Sequence, residues 1–170
     1  MTRDELESIV TAYMDAFTTM TLACSIGDKP WAAAVYYARS GLDLVFFSSP
    51  SSRHCTMLAD NPEAAATIQG DYIGWKEIKG LQIEGSVERI VSTTKRAKAL
   101  ATFLRRHPFV SEFLSDPRSI GSGVAGKMSR VDLYVFRPRS ILYINNEAGF
   151  GRRWKLAVER GKAVGEPMLY

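Results

Sequence analysis

The residues whose types could do chemistry lie closest together between Phe46 and His54. This stretch contains four serines followed by an arginine and a histidine, and it joins the end of a predicted strand to the start of a predicted helix. Backbone N–H groups at a helix start lack intrahelical acceptors, hydroxyls donate to phosphate oxygens, and a guanidinium can bind them bidentately. The stretch is therefore typical of a phosphate site, although helix capping by Ser51 or Ser52 beside a surface arginine explains the same residues.

The two cysteines and two histidines of the chain do not predict a catalytic or metal site. Cys55 follows His54, but adjacent helical residues point about 100° apart, so we do not predict a thiol–imidazole catalytic pair. Cys24 is distant in sequence, and two histidines are too few for a three-histidine zinc centre. The sequence favours neither thiol catalysis nor a hydrolytic metal site, and the cysteine usage predicts a reducing compartment, the cytoplasm.

A glycine-rich segment, Gly121–Lys127, matches the glycine and lysine spacing of a phosphate-binding P-loop. Met128 stands where that motif needs Ser or Thr to bind magnesium, and no apolar strand leads into the segment. We therefore expect a loop that does not bind nucleoside triphosphates.

The elements that must position these residues follow from apolar periodicity. Thr2 and Glu5 have capping-box spacing at the start of an amphipathic helix, and further helices are predicted over 53–60, around 97–104 and, after Pro108, around 109–114. Seven strands are predicted, at about 19–25, 31–37, 42–48, 64–69, 78–91, 131–137 and 141–145, the last two broken by Pro138. Because the strands do not alternate one for one with helices, we predict an antiparallel barrel, with its strands complete by Asn146, rather than a doubly wound sheet.

Composition and charge set the class of protein. The 170 residues are 46% hydrophobic, enough for the core of one domain over residues 1–170. No apolar run approaches the roughly 20 residues that span a bilayer, so no membrane association is expected. The 22 basic and 18 acidic residues are interspersed, which gives no argument for nucleic-acid binding.

Three ordered segments resemble the pyridoxamine 5′-phosphate oxidase-like, FMN-binding split-barrel superfamily. They are the stretch Phe46–His54, the helix and turn Met57–Pro62 leading into Ala64–Gln69, and the strand Ile78–Val87, which has a glycine before an outward hairpin. The resemblance covers roughly Met20–Val91. It implies a mainly β protein with flanking helices, an antiparallel split β-barrel that binds FMN as a homodimer.

The resemblance also implies which residues hold FMN. The phosphate is expected at the serine-rich corner and the isoalloxazine ring against the second and third strands, while the partner subunit and the carboxy-terminal segment close the site. Small side chains in the second strand agree with this, because a planar ring packs closely only where side chains do not intrude. The expected cofactor-binding residues are Ala33, Ala34, Val35, Ser48, Ser49, Ser52, Arg53, His54, Trp75, Lys76, Gln82, Arg152 and Arg153.

The sequence also departs from the oxidase that gives the superfamily its name. Trp31-Ala32-Ala33 occupies the region where that enzyme has a phosphate-binding arginine, and its carboxy-terminal substrate-binding pattern is absent. The expectation is therefore an FMN-dependent oxidoreductase acting with an unknown small-molecule substrate or electron donor. Two alternatives stay open: a haem-binding or haem-degrading split barrel with His54 or His107 as iron ligand, and a non-catalytic flavin-binding module.

Overall fold

A computed structural model describes residues 1–111 and 131–170 of the chain. The glycine-rich segment Gly121–Lys127 and the second half of the helix predicted after Pro108 lie outside the described residues. The helices are α1 (Arg3–Ala16), α2 (Arg53–Asp60) and α3 (Thr93–Arg106). The strands are β1 (Thr19–Ile26), β2 (Lys29–Ser40), β3 (Asp43–Ser48), β4 (Glu63–Gln69), β5 (Lys79–Arg89), β6 (Asp132–Asn145), β7 (Arg153–Glu159) and β8 (Lys162–Leu169).

All eight strands form one antiparallel sheet in the order β3-β2-β1-β4-β5-β6-β7-β8, and β3 also pairs with β6. The first half of β6, Asp132–Phe136, pairs with β3, whereas its second half, Ser140–Ile144, pairs with β7 on the same edge. The sheet therefore closes into a barrel of six strands and then splits where β6 changes partner. The predicted antiparallel split barrel with flanking helices is confirmed.

The predicted break at Pro138 is wrong, because β6 continues through it. Pro138 lies opposite Gly85, where the register between β5 and β6 shifts. A side chain at Gly85 could not be accommodated, since a Cβ there would lie 2.1 Å from the carbonyl oxygen of Arg137. The irregularity at Gly85 thus allows β6 to contain Pro138, which has no backbone N–H to donate to the neighbouring strand.

The closed barrel ends with β6 at Asn145, but the sheet continues with β7 and β8, which the sequence did not predict. After a short 3₁₀ turn, β7 pairs with β6, and Leu156 and Val158 enter the main core with 0% and 4% exposure. β2 also begins before the predicted strand 31–37, because Lys29 and Pro30 pair with β1. The sheet is therefore larger at both places than the sequence pattern predicts.

The three helices close the openings and cover one outer face. α1 begins with the predicted capping box and buries Leu6, Val10 and Met14 in the main core. α2 lies against β1 and β2, where β2 has separated from β3. α3 packs on the outside of β2, β3 and β6 and forms a second small core with outward-facing residues of the sheet. The start of α2 is thereby fixed at the end of β3, which is where the predicted phosphate site lies.

Candidate functional site

The segment that joins β3 to α2, here called the serine corner (Ser48–His54), is held by its own hydroxyls. Ser52 caps α2 by accepting a hydrogen bond from the backbone N–H of Cys55. The Ser48 hydroxyl lies 2.6 Å from Nε2 of His54 and 3.2 Å from the Ser52 hydroxyl. Because the backbone N–H groups of the first helical turn have no intrahelical acceptors, the corner presents N–H and O–H donors together. This donor set suits a phosphate group.

Beside the serine corner is a cleft, here called the aromatic cleft, with a volume of about 290 Å³. It brings together four of the residues expected at the cofactor, Ala34, Val35, Ser48 and His54, with side chains that the sequence did not single out. The added residues are Tyr36, Phe47, Phe103, Phe109 and Val110. An apolar, largely aromatic wall next to a phosphate-type donor set is the combination that a phosphorylated planar ring requires.

Ala33 is not part of this cleft. Strand residues alternate between faces, and Ala33 lies opposite the buried Leu22, so its side chain points inward, whereas Ala34 lies opposite Thr21 and points outward. Of the alanines in β2, Ala34 is therefore the one that a ring in the aromatic cleft can contact.

Arg53 lies at the first position of α2 with its guanidinium 4.1 Å from the centre of the Trp31 ring. This cation–π contact holds an exposed arginine beside the serine corner without engaging it in an ion pair with any described residue. Its N–H donors remain available to an anion bound at the corner.

Cys55 has an unusually low thiol pKa, which the sequence did not predict. Its thiol is buried, which by itself raises its pKa, but hydrogen bonds with His54, Ser48, Ser52 and Tyr134 outweigh the burial and lower the pKa from 9.0 to about 7. The thiol at the third residue of α2 also faces the positive end of the helix. The pKa of Tyr134 is raised, mainly by burial and to a lesser extent by its hydrogen bond with Cys55. Tyr134 therefore remains a neutral donor.

The position of Cys55 after the cap residue Ser52 was a usable signal, because thiols at helix starts have low pKa values. The contribution of Tyr134 was not readable, since it reaches the corner from β6 and is far away in sequence. Metal ligation has no support in residues 1–111 and 131–170, where no three His, Cys, Asp or Glu side chains cluster suitably.

Both histidines are engaged through Nε2. His107 is 2% exposed, and its Nε2 lies 2.7 Å from the carbonyl oxygen of Tyr37, to which it must donate a hydrogen. Nε2 of His54 contacts the hydroxyls of Ser48 and Ser52. Neither ring therefore offers Nε2 as a free ligand in this structure.

The remaining expected cofactor residues lie elsewhere on the chain. On the outer face of the sheet, Ala34, Thr21, Thr67 and Gln82 follow each other across four neighbouring strands. At a strand spacing of about 4.8 Å, Gln82 is roughly 14 Å from Ala34. One chain therefore does not bring Gln82 to a ring that lies on its own Ala34.

Trp75, Lys76 and Arg152 form a separate exposed group near the start of β5. The rings of Trp75 and Phe150 meet edge to face with centres 5.4 Å apart, and Lys76 lies over the Trp75 ring. Arg152 lies over the ring of Trp154. Arg153, at the start of β7, has a buried Nε without a hydrogen-bond partner among the described residues. In a single chain these residues do not reach the serine corner.

Comparison with known proteins places the chain in a family. No protein-family model matches it. A UPF0306 protein of Photorhabdus laumondii subsp. laumondii is 30% identical over 110 residues, which cover 64% of this chain and 76% of that protein. The chain belongs to the UPF0306 family. A second UPF0306 protein, from Klebsiella pneumoniae strain 342, is 25% identical over 136 residues, covering 79% of this chain and 81% of its own length.

Solved structures show the fold of this UPF0306 protein. A heme binding protein from Mycobacterium smegmatis superposes with a TM-score of 0.66 at 20% identity; the match covers 91% of this chain and 57% of that one. A FAD-binding protein from Mesorhizobium loti gives 0.60 at 15% identity, covering 77% and 88%. A protein of the pyridoxinephosphate oxidase family from Clostridium acetobutylicum gives 0.64 at 11% identity, covering 92% and 97%.

These structural matches confirm the predicted split-barrel fold, which is shared by a heme binding protein, a FAD-binding protein and a protein of the pyridoxinephosphate oxidase family. This chain spans just over half the length of the Mycobacterium smegmatis protein. In the described residues, no helix has the length and hydropathy that a membrane span requires.

Proposed function

We propose that this UPF0306 protein is an FMN-binding flavoprotein and an oxidoreductase of a small molecule. The observation that carries the proposal is the juxtaposition of the serine corner with the aromatic cleft, since phosphate donors and a flat apolar wall meet at Ala34 and Ser48. When bound, the flavin supplies the electron-transfer chemistry. The chain has the task of binding, orienting and shielding it.

Each part of the site has a separate role in this proposal. The hydroxyls of Ser48 and Ser52 and the first-turn N–H groups of α2 bind the phosphate, and Arg53 adds a charge-assisted pair of hydrogen bonds. Phe47 and Phe103 exclude water from one side of the ring, and outward-facing Ala34 leaves room for it.

In this proposal each flavin site is completed by residues of the partner subunit. Trp75, Lys76 and Gln82 lie too far across the sheet to meet a ring on the Ala34 of the same chain, so we assign them to the site of the other subunit in a homodimer. Arg152 belongs to the same exposed group and is assigned with them, as is Arg153 at the start of β7.

The two histidines favour flavin over haem. A haem ligand needs a ring nitrogen that is free of hydrogen and faces open space. His107 donates Nε2–H to a backbone carbonyl in the interior, and Nε2 of His54 lies within the hydroxyls of the serine corner. Iron at either Nε2 would break a hydrogen bond that positions the site, and Nδ1 of His107 has no open approach because that residue is 2% exposed.

The test is the affinity of purified, ligand-stripped protein for FMN compared with riboflavin, measured by quenching of flavin fluorescence. We expect FMN to bind at least tenfold more tightly, because only FMN has the phosphate that the serine corner binds. Mass spectrometry of the molecule released by denaturing untreated protein should show FMN. Equal affinities, or the release of haem, would reject the proposal.

A further inference from the structure

A second cleft lies between α3 and the outer face of β3, β5 and β6. Its volume is about 280 Å³. Its floor is apolar and is formed by Val45, Ile90, Ala99 and Val135, all of which belong to the small core beneath α3. Among the described residues it shares no lining side chain with the aromatic cleft. It is therefore a separate cavity, here called the basic cleft.

The wall that α3 contributes to the basic cleft has positive charges without partners. Lys95 and Lys98 are one helical turn apart on α3 and both line the cleft. Neither lysine forms an ion pair or hydrogen bond with any residue in 1–111 or 131–170. By contrast, Arg96 on the same helix bonds to Asp132, and Arg106 donates to backbone carbonyls at the end of α1. Of the basic residues of α3, Arg105 also has no partner among the described residues, but it lies outside the cleft, so two of the three unpaired charges are at this wall.

The opposite wall contains a hydrogen-bond acceptor without a donor. Arg137 pairs with Glu88 at 3.1 Å and reaches Oδ2 of Asp43 at 3.4 Å. The other oxygen of that carboxylate, Oδ1, is buried and has no partner among the described residues. Burial raises the pKa of Asp43. An atom this buried cannot be reached from the cleft, so this wall presents to a ligand the remaining surface of Asp43, Glu88 and Arg137, where two carboxylates face one guanidinium.

We propose that the basic cleft binds a small amphipathic organic anion that also has a hydrogen-bond donor. The apolar body of such a molecule lies on Val45, Ala99 and Val135. Its acidic group faces Lys95 and Lys98, and its N–H or O–H faces the carboxylates of Asp43 and Glu88 on the opposite wall. The charged groups that line the cleft are Lys95, Lys98, Arg137, Asp43 and Glu88. Arg137 offsets one of the two carboxylates, so the lining has a net charge of +1 and the two lysines attract the anion.

The probe for this site is 8-anilinonaphthalene-1-sulfonate, which has an aromatic body, one sulfonate and one N–H. Binding is measured by isothermal titration calorimetry, with and without saturating FMN. We expect one site per chain, with an affinity that FMN does not change. N-phenyl-1-naphthylamine, which lacks the sulfonate, should bind at least tenfold more weakly.

Amino-acid substitutions test whether the probe binds in the basic cleft. The double variant Lys95→Gln/Lys98→Gln should lose tenfold or more in affinity, whereas Lys29→Gln/Lys162→Gln changes the net charge equally at exposed lysines outside the cleft and should stay within twofold of wild type. Val91→Asp adds a carboxylate at a 77% exposed position of the cleft rim, so it should weaken binding without affecting the fold.

Three results would overturn the proposal: no binding by the wild-type protein, equal affinities for the two double variants, or displacement of the probe by FMN. Displacement would place the probe in the aromatic cleft. Because the site is independent of flavin, failure of FMN to bind leaves the expected affinities unchanged.

Discussion

Arg53 is the charged side chain of the serine corner, and its contact with Trp31 holds the guanidinium near the start of α2. Replacing Arg53 with Ala should lower FMN affinity by about 2 kcal/mol, roughly 30-fold, because the phosphate loses a charge-assisted bidentate partner. Riboflavin affinity should not change. Fluorescence titration of both flavins measures the two effects.

Two further variants separate the effect of charge from that of bidentate geometry. Arg53→Lys keeps the charge but loses the bidentate geometry, so its FMN affinity should lie between those of wild type and Arg53→Ala. Arg3→Ala removes an equal charge from the exposed start of α1 and should leave FMN affinity unchanged. If Arg53→Ala binds FMN as tightly as Arg3→Ala does, the phosphate does not lie at this corner.

The lowered pKa of Cys55 makes stability depend on pH. A thiol whose pKa is lower in the folded state stabilises the fold fully above its unfolded pKa, and the stabilisation is lost as pH falls through the folded pKa. The folded and ordinary values are about 7 and 9.0, so wild type should gain stability from pH 7 to pH 9, on the order of 2 kcal/mol.

Urea unfolding at pH 6.5 and pH 9 tests this effect. The variant Cys55→Ala should lack the gain, whereas Cys24→Ala should retain it. Cys24 is the matched control because burial raises its pKa, which puts its own ionisation above this pH window. An identical pH dependence in wild type and Cys55→Ala would show that the thiol does not ionise in the folded protein near pH 7.

At the level of elements, the sequence predicts most of what the structure contains. The bounds of α2 and the capping box of α1 agree with the structure, because both depend on local residue types. The continuity of β6 was not predictable from Pro138, since its tolerance depends on Gly85 in a neighbouring strand. The alternation of Trp154, Leu156 and Val158 was a local signal for β7, hidden by the neighbouring basic residues Arg152, Arg153 and Lys155.

β7 supplies part of the main core, so we expect the fold to depend on it. A chain ending after Asn146 loses Leu156 and Val158 from that core, and Ser140–Ile144 of β6 loses one of its two neighbouring strands. Burial of such side chains contributes about 1.5–3 kcal/mol each, so we expect this chain not to unfold cooperatively. Circular dichroism during heating measures cooperativity.

A milder truncation provides the control. A chain ending after Glu166 keeps β7 whole and keeps Ala163 against the core, so it should melt cooperatively. If the chain ending after Asn146 melts like this control, the carboxy-terminal strands are not part of the folding unit. The role of Arg152 and Arg153 in flavin binding is then better tested by Arg152→Ala and Arg153→Ala than by truncation.

At the scale of the whole molecule, α3 covers the end of β2 near Ala38, whereas the outer face of β1, β4 and the Ala32–Ala34 part of β2 has no helix packed on it in the described residues. Its outward residues are small: Ala32, Ala23 and Ala65 form one row, and Ala34, Thr21 and Thr67 form the next. Small side chains allow two flat surfaces to approach closely. In the homodimer that we propose, a second copy packs on this face with its Gln82 directed to the Ala34 of the first.

Ala65→Arg tests this arrangement because Ala65 is exposed in the single chain, so the fold should tolerate the arginine. In a symmetric dimer that packs through this face, the substitution adds a bulky charge to each subunit, so sedimentation should show a monomer at micromolar concentration. FMN affinity should fall with it, since each site loses the residues of its partner. Ala97→Arg on the exposed side of α3 is the control and should remain dimeric. If Ala65→Arg is monomeric yet binds FMN as tightly as wild type does, each chain has a complete flavin site, and Trp75, Lys76 and Gln82 do not contribute to it.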